Sequence, residues 1–135
     1  MRIKTQISVG ELVDKLTILE IKKQKISDPQ KLENIVLEYS ELNKLYKGLS
    51  SNAKICGNLL DLIALKADLF EVNMSLWITE DNIRQRERFK DFGPEFIRLA
   101  RNIYQANDMR FHFKNKINIL FNSNIKEEKS YESYS

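Results

Sequence analysis

The chain has 135 residues, of which 42% are hydrophobic and 30% charged, and its formal net charge is +3. These values are typical of one soluble globular domain and give no strong nucleic-acid signal. A single cysteine excludes an internal disulfide framework, and 4 glycines with 2 prolines argue against a turn-dense all-β fold. No apolar run reaches the roughly 18 residues that span a bilayer, and residues 1–6 show no secretory signal. We therefore expect a cytoplasmic domain without a membrane span.

A short extended arm is predicted at the start of the chain. Ile3, Thr5 and Ile7 alternate with polar residues at the period of a β-strand. A lone strand cannot form a sheet, so the arm should pack on helices or pair with a second copy.

The first helix is predicted from a capping box at Ser8–Glu11 to about Ile26. In this motif the Ser8 hydroxyl accepts a hydrogen bond from a free backbone amide, and Glu11 reaches back toward the cap. Asp28 and Pro29 are typical of a helix start, so a second helix begins there. Its heptad pattern predicts a helix over 29–47, with Gly48 just past its end and a loop over 48–58.

Two longer helices follow. The third is predicted from Leu59 to Phe89, about 45 Å long, and the fourth from Pro94 to about Asn122. Arg110 stands where the apolar period of the fourth helix expects a hydrophobic residue. We predict an all-α domain over residues 1–122, an antiparallel four-helix arrangement whose third and fourth helices form a long hairpin. The polar, aperiodic tail at 123–135 is predicted to be disordered.

Several motifs resemble a family of short bacterial proteins described as a domain of unknown function. The similar segments are Ser8–Lys22 (SVGELVDKLTILEIK), Leu76-Trp77 with Glu80-Asp81 and Ile83-Arg84, Asp91–Gly93 with Phe96, Leu99–Arg101 and Tyr104, Asn107-Asp108 with Arg110, and Glu127–Tyr131. The resemblance implies an all-helical single domain and no particular activity. Some relatives lie near genes for envelope polysaccharide synthesis, and the resemblance implies the same setting here.

A candidate ligand site follows from the distribution of arginine, because six of the seven arginines lie between Arg84 and Arg110. In an antiparallel hairpin, residues near 84 should lie roughly opposite residues near 101, so arginines of both helices would converge beside aromatic rings. Forked guanidinium donors suit carboxylate or phosphate, and an aromatic face suits a base or a sugar. The candidate residues are Trp77, Glu80, Asp81, Arg84, Arg101, Tyr104, Asn107, Asp108 and Arg110, with Glu11, Asp14, Lys15 and Lys22 from the first helix.

The alternative interpretation of these charges is structural. Pairs such as Asp81–Arg101 or Arg84–Asp108 would fix the register of the hairpin as a buried ion-pair network. Glu11 would then serve the capping box and pair with Lys15 four residues on.

Three functional hypotheses remain. The first is a non-enzymatic helical interaction or accessory protein, acting as a homodimer or with a protein partner, since long apolar seams occur without a catalytic constellation. The second is binding of an anionic small molecule, such as a nucleotide or sugar phosphate, by the candidate site. The third is Mg²⁺-dependent nucleotide hydrolysis at Glu38/Glu41 and Asp68/Glu71, or at Glu11/Asp14 with Glu80/Asp81, for which surface charge is the alternative. No cofactor or metal is expected, because His112 and Cys56 each stand alone.

Overall fold

Four α-helices make up the computed structural model, which describes residues 1–134. They are α1 (Val9–Lys25), α2 (Pro29–Cys56), α3 (Leu59–Arg88) and α4 (Pro94–Leu120). No strand occurs within those residues, and α3 packs closely along α4 as a hairpin. The prediction of an all-α, four-helix arrangement with a long α3–α4 hairpin is therefore confirmed. None of the helices in the described part is long and apolar enough to cross a membrane.

The helix starts follow the capping chemistry of the sequence. The backbone amide of Glu11 donates to Ser8 Oγ at 3.1 Å, and the amide of Lys31 donates to Asp28 Oδ1 at 3.0 Å. Both oxygens satisfy amides that have no partner within the first turn of a helix. Pro29 occupies the first turn of α2, where its missing N–H costs no hydrogen bond.

The predicted end of the second helix at Gly48 is wrong, because α2 continues to Cys56. Six residues beyond the predicted end at Lys47, the heptad places fully buried Ala53 in the core. Burial of this face offsets the roughly 1 kcal/mol cost of a glycine within a helix. The helix ends instead at Gly57, whose φ of 80° lies in the left-handed region that favours glycine.

The N-terminal arm lies outside the helices and forms no strand. Residues 1–7 are exposed, and Arg2 pairs with Glu41 of α2 at 2.6 Å. Ile3 is 84% exposed, so the alternation of the arm does not correspond to a buried face.

Helix α1 lies at the centre of the domain, since it packs against each of the other three helices. A Cβ added to Gly10 would lie 2.3 Å from the backbone carbonyl oxygen of Lys114. Glycine is therefore required for the close approach of α1 to α4. The core residues are Val13, Ala53, Leu62, Leu69, Val72 and Ile117.

The far end of the α3–α4 hairpin contributes little to this core. Between residues 82 and 103, Leu99 is the one buried residue. Phe89, Phe92 and Ile97 keep 65%, 50% and 55% of their surface exposed. The hairpin therefore ends in a two-helix projection with exposed apolar side chains.

The C-terminal tail runs back along α4 without forming a helix or strand over residues 121–134. Lys114 Nζ of α4 bonds Glu127 Oε2 of the tail at 2.6 Å. Nearer the end, the ring of Tyr134 packs edge-on against Tyr104, with ring centroids 5.1 Å apart. The predicted disorder of this tail concerns its motion and stays a prediction.

Candidate functional site

A buried polar group joins α1, α3 and α4. Asp14 and Thr17 of α1 are fully buried, and Asn73 of α3 is 5% exposed. Arg110 of α4 donates to both carboxylate oxygens of Asp14, from Nε at 2.9 Å and from a terminal nitrogen at 2.6 Å. Asn73 Nδ2 donates to Asp14 Oδ1 and to Thr17 Oγ1, each at 2.9 Å.

The orientation of each member of this group is fixed by its neighbours. The Thr17 hydroxyl donates to the Asp14 backbone carbonyl at 2.7 Å, so Thr17 Oγ1 accepts from Asn73. A carboxylate also accepts, and both contacts therefore require the nitrogen of the Asn73 amide to point inward. The hydrogen bond to Asp14 raises the pKa of Arg110 above its ordinary value, more than burial lowers it. Arg110 stays charged, with its fork held in one plane.

An open cleft of about 470 Å³ lies over this group, between α1, α3 and α4. Asn73 and Arg110 belong to both the buried group and the cleft wall. Trp77, the one tryptophan of the chain, forms part of the same wall. The lining residues are Ile18, Ile21, Asn73, Leu76, Trp77, Glu80, Asp81, Asn107 and Arg110.

The charges around the cleft are largely paired. Arg110 is held by Asp14, and Arg84 lies 3.3 Å from Glu80. Asp81 is exposed and forms no ion pair within residues 1–134. The paired groups cancel, so the cleft has an excess of one negative charge.

The structure brings together part of the predicted site. Five of the thirteen predicted residues line the cleft, and Asp14 lies beneath it. The five are Trp77, Glu80, Asp81, Asn107 and Arg110.

The predicted convergence of arginines is wrong. Arg84 has a side chain that is 77% exposed and pairs along its own helix with Glu80. Arg101 is also exposed, among residues of the first half of α4. Neither the Asp81–Arg101 pair nor the Arg84–Asp108 pair forms within the described residues, because both arginines lie on outward faces of their helices.

Tyr104 and Asp108 face the tail. With Asn107 they line a second cleft of about 590 Å³, whose other wall is formed by residues 129–134. A hydrogen bond from Tyr134 to the Asp108 carboxylate raises the pKa of the Tyr134 hydroxyl. Asn107 lines both clefts.

The remaining first-helix candidates lie outside the cleft. Glu11 does not pair with Lys15; its Oε2 lies 2.8 Å from Lys114 Nζ of α4. Burial lowers the pKa of Lys114, but its hydrogen bonds to Glu11 and Glu127 outweigh burial and raise that pKa overall. Lys15 is exposed and Lys22 partly exposed, and neither lines the cleft.

Sequence reasoning missed Lys114, Asn118, Asn73 and Thr17. A signal for the first two was present, because Arg110, Lys114 and Asn118 recur every four residues on one face of α4. All three bond the first two turns of α1, where Asn118 Oδ1 accepts from the amide of Gly10 at 2.7 Å.

Within residues 1–134, no three or more His, Cys, Asp and Glu side chains are grouped so that they could hold a metal ion. Glu38 and Glu41 are exposed on α2, whereas Asp68 and Glu71 lie on α3 beside α4. These two motifs of the hydrolase hypothesis therefore do not form a common site.

Comparison of the chain with protein-family models, curated proteins and solved structures finds no match. The resemblance to the bacterial family thus rests on the motifs quoted above.

Proposed function

We propose that this protein binds a small polar molecule in the cleft between α1, α3 and α4. The observation that carries the proposal is the fixed orientation of Arg110 and Asn73 by buried Asp14 and Thr17. Polar groups that are already oriented lose little entropy when a ligand binds, and such groups in an otherwise apolar cleft are typical of ligand sites.

The buried group also has a structural role, since it joins three helices. A purely structural role requires only that Asp14 and its partners form hydrogen bonds with one another. Here Arg110 and Asn73 also reach the cleft wall, beside half-buried Asn107 and the exposed carboxylate of Asp81. This combination supports a ligand site in the cleft in addition to the structural role of the buried group.

The proposal is tested with the tryptophan fluorescence of the full chain, because Trp77 is the one tryptophan and lines the cleft. A panel of sugars, nucleosides, amines and organic anions is titrated, and hits are checked by thermal unfolding. A ligand at 100 times its Kd adds about 2.7 kcal/mol of stability. For a domain of this size the midpoint should rise by roughly 9 °C.

A matched pair of variants locates the binding. Asn107→Ala removes a polar group of the cleft wall and should weaken binding about tenfold, which corresponds to about 1.4 kcal/mol. Asn102→Ala, on the same helix but outside this cleft, should leave binding unchanged. Equal effects of the two substitutions, or no response to any member of the panel, would contradict the proposal.

A second candidate function is the helical interaction protein of the first hypothesis. The exposed apolar residues at the end of the α3–α4 hairpin favour it, because two such ends packed together would form a four-helix contact. We expect a homodimer by light scattering, and a monomer of 15.9 kDa for Phe92→Ser. Leu45→Ser, which changes an exposed residue of α2, should stay dimeric. A monomer at every concentration of the unmodified protein would exclude this dimer.

A further inference from the structure

The polar wall of the cleft offers both donors and acceptors. Arg110 uses two of its N–H groups on Asp14, which leaves three as donors. Asn73 uses both N–H groups inward, so its carbonyl oxygen remains an acceptor. Asn107 adds an amide with both functions, and Asp81 adds a carboxylate.

This set restricts the chemistry of a ligand. Phosphate and carboxylate groups accept hydrogen bonds, so they would satisfy Arg110 but would place a further acceptor against the Asn73 oxygen and the Asp81 carboxylate. An ammonium group has the opposite deficiency, because it donates and cannot accept. A ligand whose groups both donate and accept, as hydroxyls do, can satisfy the whole wall.

Charge leads to the same conclusion. The Arg110 guanidinium is neutralised by Asp14, and Asp81 gives the cleft its excess negative charge. An anionic ligand would be repelled by the Asp81 carboxylate and would gain little from Arg110, which Asp14 already neutralises. Binding of an anion is therefore unfavourable. The phosphorylated ligand expected from arginine clustering therefore fits this cleft poorly.

The apolar part of the cleft selects the shape of the ligand. The Trp77 ring lies in the wall with Ile18, Ile21 and Leu76. A sugar ring has C–H groups on its faces and hydroxyls around its edge, so it can pack one face on apolar side chains while its edge meets the polar wall. An aromatic ring provides a flat apolar surface of suitable size for such a face.

We infer that the ligand of this cleft is an uncharged sugar, an inference that rests on the proposed function. The ring packs against Trp77, and its hydroxyls bond Asn73, Asn107, Asp81 and Arg110. Asp14 and Thr17 act as positioning residues, since they hold Arg110 and Asn73 without reaching the sugar.

The experiment titrates the protein with neutral hexoses and N-acetylhexosamines, with the uronic acid and phosphate of each hexose, and with nucleosides and amines. Trp77 fluorescence gives the Kd values. We expect at least one neutral sugar to bind, and its anionic forms to bind at least about tenfold more weakly. Tighter binding of the anionic forms, or of nucleosides or amines, would overturn the sugar inference and leave the proposed function standing. The absence of binding by every probe would overturn both.

Charge variants test the electrostatic part of the argument separately. Asp81→Asn keeps an acceptor but removes the excess charge, so it should narrow the preference for the neutral sugar over its uronic acid by about fivefold. Asp61→Asn removes a charge of the same sign from the first turn of α3, away from the cleft, and should leave the preference unchanged. A preference unaffected by Asp81→Asn would refute the assignment of Asp81 to the sugar site.

Discussion

Replacement of Asp14 by alanine is the most direct test of the buried polar group. The substitution removes both acceptors of Arg110 and one acceptor of Asn73. It leaves the Arg110 guanidinium without a counter-ion and one N–H of the Asn73 amide without an acceptor, both facing a fully buried position of α1. A loss of this kind costs more than the net contribution of the hydrogen bonds, because the remaining groups stay desolvated.

The size of the effect depends on how far Arg110 can regain water. Removal of one partner from a buried pair typically costs about 3–5 kcal/mol. The Arg110 side chain is 28% exposed, so part of its hydration can be recovered through the cleft. We therefore expect a loss of about 3 kcal/mol and a fall in the unfolding midpoint of roughly 10 °C.

A second bidentate pair on the same protein provides the control. Arg98 donates to both oxygens of Glu95 at 2.9 and 2.7 Å, but this pair lies at the surface. Glu95→Ala should leave urea unfolding unchanged, because solvent replaces the lost contacts. If Asp14→Ala shifted the urea midpoint no further than Glu95→Ala, burial would not determine the strength of these pairs and the argument would be refuted.

Two further substitutions, each with a matched control, test other contacts. Gly10→Ala should lower the free energy of unfolding in urea by about 1–3 kcal/mol, since its Cβ would meet the backbone of α4. Gly48→Ala, with open space around its Cβ, should raise that free energy by about 0.5–1 kcal/mol. Equal effects of the two substitutions would contradict the packing argument. The raised pKa of Lys114 means that its ion pairs stabilise the fold below the ordinary lysine pKa of 10.5 and are lost as the pH rises through the raised value. The difference in unfolding free energy between the unmodified protein and Glu127→Gln should thus be constant near neutral pH and shrink in strong alkali; a difference that grows there would contradict the sign. Glu127→Gln should also speed tryptic cleavage of the tail, whereas Glu128→Gln should not, and equal cleavage rates would show that Glu127 does not anchor it.

The helices could be predicted because their signals are local. The caps at Ser8 and Asp28 depend on side chains within three residues, and the apolar period of each helix is visible in the sequence. The predicted end of α2 at Gly48 is wrong for a related reason. Glycine is a local signal for the end of a helix, but α2 continues because Ala53 is buried against α1 and α3, and that contact is not local.

The site could be predicted only in part, since its geometry depends on contacts between distant segments. Clustering of arginine drew attention to a region that overlaps the cleft, whose wall includes Arg110, Trp77 and Asn107. It could not show that Arg84 points to solvent, because helical phase relative to a neighbour is a tertiary property. The better signal was local mismatch: Asp14 lies among leucines in α1, and Arg110 interrupts the apolar stripe of α4. Two opposite charges out of place on apolar faces indicate one buried pair.

The contact between α1 and α4 has a consequence for the order of folding. Asp14 and Arg110 are 96 residues apart in the sequence, and Gly10 and Asn118 are 108 apart. During synthesis at about 5–20 residues per second, α1 therefore leaves the ribosome several seconds before its partners on α4. The α3–α4 hairpin closes through residues that are near in sequence, so its closure costs less entropy than the contact between α1 and α4. The face of α1 that packs on α4 therefore stays open to solvent and to chaperones for those seconds, whereas α2 and α3 can cover the other faces of α1 sooner.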